Sequence, residues 1–578
     1  MAVDLSNIST TSSGANSFAG IQSGINTTAL IQAEITQASG PLNQLQSEQT
    51  ANSNRSSAIS SLETLMTSLS TSLATLNSSG LSARTVTSSD STNTYASATA
   101  AGGASGSYNI QVQQTATYAQ LSPTLNGSGN PTNLATSSTT ASIFSGSSAT
   151  FAIEDTNGVT KQITLGSGQN NINALANAIN AAGATDPNNP TDVGLGVTAT
   201  VINTGSGTNP YELILKSSKT GVGTAGGNFT IADVTTGGAA NTLGIAAGTL
   251  SSDGTSIASG GTQSNQTAQD AKFSLDGVQL TRASNTVTDA VNGVTFNLLQ
   301  GNQTGTTTLT VAPDATTATN DLQDMVSAFN ALVSGYNTDT ASGGALVGDG
   351  TVRGYLQQIQ GALGAIPAGL ASDAAYNSAA SVGLSTNEDG TLSLDTNAFQ
   401  AAFNADATGV TSIFASSSSS TNSVVSLGAS GTSTAAGTYG FNITSYNTGG
   451  TVAGTITAPD GTQYSLTGNN GLLVGAKGTP LDGLYLNVTG TGTGSLTLSK
   501  GAGQAVQDLI SNLTDPATGS ITQLLTGITH SNTDLSTQIA NQQSILNRMQ
   551  ASLEAQYSQM EATLSSLDAA SSSLGSLS

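Results

Sequence analysis

The chain has 578 residues, of which 36% are hydrophobic and only 8% charged, so Ser, Thr, Asn, Gln and Gly supply most of its polarity. Its net charge of −22 speaks against nucleic acid and against an anionic membrane surface, both of which need clustered Lys and Arg. Cysteine is absent, which excludes disulfides and thiolate metal sites, and no apolar run reaches the ~18 residues of a membrane-spanning helix.

At roughly 150 residues per domain, the length predicts about four domains. From Met1 to Gly20 the chain is rich in Ser, Thr, Asn and Gly and lacks Lys and Arg. It has neither the basic nor the apolar stretch of a cleaved signal peptide, and it is expected to be disordered on its own. From Thr27 to about Asn77 the pattern turns helical, broken at Gly40-Pro41, where Pro suits the first turn of a second helix. Ile59, Leu62, Met66, Leu69, Leu73 and Leu76 alternate at spacings of three and four, which defines a heptad seam.

The middle of the chain reads mostly as β. Tyr108, Ile110 and Val112 alternate with polar residues as on a half-buried strand, and Asn157-Gly158 is a turn signal. Ile172, Leu175 and Ile179 predict a short amphipathic helix ending near Gly183. Gly221, Gly223 and Gly226 have the spacing of a nucleotide-binding fingerprint after a strand-like run, Tyr211 to Lys216. That fingerprint requires a helix next, and Asn228 to Ile231 reads as a strand, so a plain loop is expected. Phe273 and Leu275, Asp276-Gly277, then Val278 and Leu280 predict a two-residue hairpin. Val294, Phe296 and Leu298 alternate again.

Two further helices are predicted, from Leu322 through Met325, Phe329 and Leu332 to Tyr336, and from Val352 to Leu363 before Pro367. Asn387, Asp389, Gly390 and Asp395 faintly resemble a calcium loop, but Ser385 and Thr396 stand where carboxylates are needed, so a turn is expected. Residues 416–500 are rich in Gly and Thr, with Pro459-Asp460-Gly461 as a turn, and read as a β module inserted before the C-terminal helices. Within it, Gly437-Thr-Tyr-Gly-Phe441 echoes Gly106-Ser-Tyr-Asn-Ile110. The match is short and predicts a recurring hairpin type, not duplicated domains.

At the C-terminus, Leu525, Ile539, Leu546, Leu553, Met560, Leu567 and Leu574 share one heptad register. Ile528, Leu535, Met549 and Leu577 occupy the companion position, interrupted by Asn532, Gln542 and Gln556. Polar seam positions reduce stability but fix register and partner choice. Both chain ends are therefore expected to be long helices with an exposed apolar edge. That edge either closes an intramolecular hairpin or also binds other subunits. His530, the only histidine, lies beside the seam and cannot build a multi-His metal site. No catalytic residue, metal ligand or cofactor is expected.

The chain also resembles a known family. Gly20-Ile-Gln-Ser-Gly-Ile25, followed by Pro41-Leu42, is similar to the N-terminal signature of the flagellar filament cap, or hook-associated protein 2, family. Leu175 to Ala182, Val197-Thr-Ala-Thr-Val201 and Leu213 to Gly221 resemble the flagellin/hook internal repeat. Gln269 to Phe273, Asp276-Gly277, Ser284 to Val287, Gly293 to Phe296, Gly348-Asp349, Asp389 to Leu392, Asp395 and the run Met549 to Leu577 resemble its C-terminal region. Asn26 stands where the family usually has Asp.

Together, residues and resemblance imply an α+β multidomain chain, with a helical coiled-coil leg from both chain ends and β-rich outer domains in the middle. Residues 1–40 and 545–578 are terminal disordered or coiled-coil segments. Residues 41–85, 315–380 and 501–544 form the helical leg. Residues 86–125, 265–314 and 381–415 form an inner β-rich domain, residues 126–264 an outer one, and residues 416–500 the insert. The assembly seam is Ile59, Leu62, Met66, Leu69, Leu73, Leu76, Leu546, Met549, Leu553, Met560, Leu567 and Leu574.

The resemblance implies a ring of subunits at the growing filament tip, sheltering exported flagellin while it folds. Implied partners are further copies of the chain, flagellin, hook–filament junction proteins and a flagellar export chaperone, with no nucleic acid and no membrane insertion. The implied location is extracellular, reached by the flagellar type III route without a cleaved signal peptide. The alternative is a surface adhesin or glycan-binding protein on a helical stalk. An enzyme, such as a muramidase joined to flagellar parts, would need a paired-acid or Cys/His constellation that the sequence lacks.

Overall fold

The computed structural model describes residues 24–102, 105–155, 158–184, 194–205, 207–222, 228–235, 241–370 and 374–575, with the short strands Ile8–Thr10 and Asn16–Phe18. The disordered tip expected over residues 1–20 falls largely outside them, as do Gly20 to Ser23 of the N-terminal signature, Asn157, Gly223, Gly226 and Leu577. The described helices are α1 (Thr27–Ala38), α2 (Gly40–Thr75), α3 (Ile172–Ala182), α4 (Ala315–Thr340), α5 (Gly350–Gly364), α6 (Thr396–Ala405), α7 (Ala407–Phe414), α8 (Ala502–Leu513) and α9 (Ser520–Gly575). Strands make up much of the rest, so the fold is mixed α and β. None of these helices is long and apolar enough to cross a membrane. The chain divides into two compact units, residues 1–81 with 315–578, and residues 82–314.

The first unit is built on α2. Pro41 opens this helix, and its apolar stripe from Ile59 to Leu76 is buried against Leu322, Met325 and Phe329 of α4, Val506 and Ile510 of α8, and Ile521 and Ile528 of α9. The helix ends in a π-helical turn, Leu76–Gly80. Gly80 is required there by space: a Cβ would lie 2.5 Å from Asp321 Oδ2 on α4. Side-chain caps satisfy orphan N–H groups at several helix starts: Asn26 for α1, Asp349 for α5, Asp395 for α6 and Asp406 for α7.

Residues 381–415, expected with the inner β-rich segments, join this helical core instead. Only the short hairpin Leu384–Thr386 with Leu392–Leu394 is β, and Asn330 of α4 holds it by hydrogen bonds to both the N–H and the C=O of Leu392. Phe399 and Phe403 of α6, and Ile413 and Phe414 of α7, are fully buried in the same core as α2. The calcium-like run is the turn of that hairpin: Asp389 Oδ1 accepts from the N–H and hydroxyl of Thr391, while Asp395 caps α6.

Between α7 and α8 the first unit carries the 416–500 insert, one sheet of eight strands. Its order is Ser417–Ser420, Gly492–Ser499, Gly437–Tyr446, Thr451–Thr457, Gln463–Asn469, Leu472–Val474, Tyr485–Val488, Val425–Ala429. It closes on its own apolar core, including Tyr439, Phe441, Leu486 and Leu496. Its exit is clamped to α8: Lys500 Nζ lies 2.7 Å from Asp508 Oδ2 and also donates to Thr432 O.

The second unit holds two cores. One lies between a five-stranded sheet, ordered Val278–Arg282, Ala271–Leu275, Gly106–Gln114, Thr307–Pro313, Arg84–Ser88, and a three-stranded sheet, ordered Thr286–Val291, Val294–Leu298, Ala96–Ala100. The predicted hairpin is present, with Asp276 at φ 48° and Gly277 at φ 84°, the left-handed pair that a two-residue turn demands. The other core packs α3 through Ile172, Leu175 and Ile179 against strands such as Ser148–Glu154 and Val197–Asn203. The strand expected at Asn228 to Ile231 is present as Thr230–Asp233.

Candidate assembly surface

α2 and α9 run antiparallel along the first unit. Gln49 Nε2 donates to Ser536 Oγ at 2.6 Å and Asn52 Nδ2 to Ser531 Oγ at 3.0 Å, which sets their relative direction. Further along, α1 continues the contact with α9; within α1, Thr27 is buried and Ile31, Ile35 and Ala38 are half-buried. The pairing interface changes character along its length. Towards the core, Ile528 and Leu535 are buried. Between these two, Asn532 inserts a polar group whose Nδ2 reaches Ser53 Oγ at 3.5 Å. Its Oδ1 is buried and lacks a hydrogen-bond partner among the described residues. Such a group costs stability, so this stretch of the interface is weaker than an all-apolar seam.

The structure separates the seam residues into two sets. Ile59, Leu62, Met66, Leu69, Leu73 and Leu76 are each 0–2% exposed, inside the helical core. The exposed edge expected of the N-terminal helix is therefore absent, because α4, α8 and α9 cover it. In the C-terminal set, Leu546 is buried, Met549, Leu553 and Met560 are half-buried, and Leu567 is 60% exposed. The side chain of Leu574 lies outside the described residues.

The companion column follows the expected positions through Ile528, Leu535, Gln542 and Met549, and beyond them it sits a residue later. Gln556 is exposed, whereas Gln550, Tyr557 and Leu564 are half-buried beside Leu553 and Met560. The series 546, 550, 553, 557, 560, 564, 567 alternates steps of four and three, a true heptad stripe. Sequence reasoning missed Tyr557 and Leu564, although their spacing carried the signal.

Arg55 ties α2 to the start of α5. Its Nε and Nη2 lie 3.1 and 2.7 Å from Asp349 Oδ2, while Asp349 Oδ1 accepts from the N–H groups of Thr351 and Val352. Burial pushes the Asp349 carboxyl up, but the hydrogen bonds from Arg55 and Val352 and the Arg55 charge outweigh it and hold the pKa below the usual carboxylate value. An open groove of about 420 Å³ between α2 and the start of α9 is lined by Glu63, Thr514, Pro516, Thr522, Leu525 and His530. His530 is exposed there, and no three His, Cys, Asp or Glu among the described residues gather as metal ligands.

A helical core made from both chain ends, bearing separately cored β modules and one part-exposed apolar helix edge, defines a multidomain α+β structural subunit. Residues 23–119 match the family model described as flagellar hook-associated protein 2 N-terminus, and residues 268–569 match that described as flagellar hook-associated protein 2 C-terminus. The chain belongs to the flagellar hook-associated protein 2 family. The B-type flagellar hook-associated protein 2 of Pseudomonas aeruginosa is 29% identical over 396 residues, covering 64% of this chain and 74% of that protein. The A-type protein of the same species is 31% identical over 409 residues, covering 67% and 76%. The flagellar hook-associated protein 2 of Escherichia coli K12 is 27% identical over 428 residues, covering 72% and 83%. The crystal structure of the flagellar cap protein FliD D1-D2-D3 domains from Escherichia coli is 27% identical, with a TM-score of 0.47, over 62% of this chain and 89% of that one. The family-model matches and the curated relatives favour the flagellar cap over the surface-adhesin alternative.

Proposed function

We propose that this chain is the cap at the distal tip of a bacterial flagellar filament, retaining exported flagellin and promoting its folding and insertion. The carrying observation is that both halves of the family's pattern match this one chain, and that both chain ends fold into a single helical core. In this reading the role is mechanical and needs no catalysis. The first unit's helices are the leg, with α1 and the end of α9 as its coiled-coil end. The modules within 86–125 with 265–314, and 126–264, are the outer plate.

Subunits close into a ring, since a repeated heterologous contact that closes gives a cyclic oligomer. The part-exposed stripe Leu553, Tyr557, Met560, Leu564 and Leu567 is the surface offered to neighbours. Flagellin and the hook–filament junction proteins are the partners at the tip. A dedicated chaperone and the flagellar type III route bring the chain out of the cell.

The direct genetic test is deletion of the gene. A cap deletion abolishes swimming and releases flagellin into the medium. Intact filaments in the deletion strain would sink the proposal and return the adhesin reading.

A further inference from the structure

The echo between Gly106-Ser-Tyr-Asn-Ile110 and Gly437-Thr-Tyr-Gly-Phe441 is more than a shared hairpin type. Each strand has, on one side, a partner far away in the chain. Gly106–Gln114 pairs with Thr307–Pro313, and Gly437–Tyr446 pairs with Gly492–Ser499. The registers coincide. Tyr108 faces Leu309, Ser107 faces Thr310 and Gly106 faces Val311; Tyr439 faces Leu496, Thr438 faces Thr497 and Gly437 faces Leu498. The outward hydroxyls pair in both, Ser107 with Thr310 at 3.1 Å and Thr438 with Thr497 at 3.0 Å.

The agreement extends to the other strands. On its far side, each exit strand takes the module's entry strand, with Leu309 opposite Ser88 and Leu496 opposite Ser420. Gly293-Val-Thr-Phe-Asn-Leu298 has a counterpart in Gly483-Leu-Tyr-Leu-Asn-Val488. Their last residues face Ala96 and Val425, the first residues of the second strand in each module. Ile110 faces Leu275 as Phe441 faces Ile456. The strands follow one another in the same neighbour order in both modules, save that the first is split between Val278–Arg282 and Thr286–Val291. Each module is entered from a helix and left into a helix.

Register is a stringent comparison. A one-residue slip at any pair would send the inward set to the solvent face. Here Ile110, Val112, Leu309 and Val311 are buried in one module, and Phe441, Ile443, Leu496 and Leu498 in the other. Independent agreement at four strand pairs, with matching Gly, Tyr and Asn positions, is difficult to reach without common ancestry.

We infer that the 416–500 insert is a second copy of the inner β module formed by residues 84–114 and 271–313, spliced into the helical core between α7 and α8. The copies differ at one telling connection. Between Gln114 and Ala271 the first copy carries the α3-containing outer domain, whereas the second crosses from Tyr446 to Thr451 by a tight turn in which Gly450 N–H bonds Asn447 O. The insert is thus the inner β module without the outer domain, borne between α7 and α8.

The test is a paired chimera in the full chain. In the first, the sequence of residues 106–112 replaces residues 437–443, and that of residues 307–311 replaces residues 494–498. In the second, the 106–112 sequence is placed one position later, over residues 438–444. Backbone hydrogen exchange at Leu466 and Leu486 reports the insert, and helical circular dichroism reports the rest. The in-register chimera is expected to keep amide protection within about tenfold to a hundredfold of the parent, and the slipped one to lose it, because opening of a local unit sets exchange. Loss of protection in both chimeras, or equal tolerance of both, would overturn the common origin.

Discussion

Arg55 places two donors on one oxygen of Asp349, and the other oxygen of Asp349 caps α5. One carboxylate therefore joins the longest N-terminal helix to a helix that begins far along the chain. The Asp349 side chain is 6% exposed and that of Arg55 37%. Asp349→Ala removes both the cap and the ion pair. The expected loss is about 1–3 kcal/mol, since a cap is worth about 1 and the half-exposed Arg limits the pair. Asp349→Asn keeps a capping oxygen and should lose less. Urea unfolding followed at a helical wavelength reads both.

Asp349 and Asp321 should respond to acid in opposite senses. The folded pKa of Asp349 is lowered, so its stabilisation is present above the unfolded value of 3.8 and is lost as pH falls through the folded pKa. Asp321 is raised by burial and by the nearby charge of Asp324. Its native state binds the proton more readily, so stability gains as pH falls towards the unfolded value. Asp321→Asn should therefore raise the urea midpoint at pH 7 and shrink the acid-side gain. An unchanged midpoint would show that the ionised carboxyl costs nothing.

Gly80→Ala should destabilise the first unit. The new methyl would meet Asp321 Oδ2 at 2.5 Å and Asp321 Cβ at 2.9 Å, so α4 or the π-helical turn must move. Overpacking of this kind costs about 1–3 kcal/mol. A thermal midpoint equal to that of the parent would mean that the turn has room to relax.

Much of this architecture was legible from spacing alone. The three-and-four rhythm from Ile59 to Leu76 marks a helix with one apolar face, and Asp276-Gly277 marks its hairpin because both positions need positive φ. What covers an apolar face is not written in its spacing, so the burial of Ile59 to Leu76 by α4, α8 and α9 could not be read. Residues 381–415 looked β because Leu384 and Leu392–Leu394 dominate a short window. The helical spacing of Phe399 with Phe403, and of Val410 with Ile413 and Phe414, was the stronger signal. Gln556 and Tyr557 are equally allowed by steps of three and four, and only the burial of the side chains decides between them. The likeness between the insert and the inner module shows in sequence only as a short echo, because a strand's partners lie far away in sequence.

The two halves of the seam should separate in mutagenesis. Leu69 is 1% exposed and Leu567 60%. Leu69→Ala leaves a cavity and should cost about 2–5 kcal/mol. Leu567→Ala should stay within about 0.5 kcal/mol, as exposed positions do. Comparable losses at both sites would mean that the end of α9 is packed within the subunit.

The most direct measurement places a charge on the half-buried stripe of α9. An Asp at position 553 must be desolvated wherever that stripe is covered, whereas the separately cored β modules should not respond. A strain carrying Leu553→Asp is compared with one carrying Ser558→Asp, an exposed position on the same helix. Swimming, filament length and flagellin in the culture supernatant are scored, with circular dichroism of each purified protein. The cap reading predicts that the Leu553→Asp protein is exported with normal β structure, that cells do not swim, and that flagellin appears as monomer in the medium, while the Ser558→Asp strain behaves as the parent. Normal filaments in the Leu553→Asp strain would contradict it.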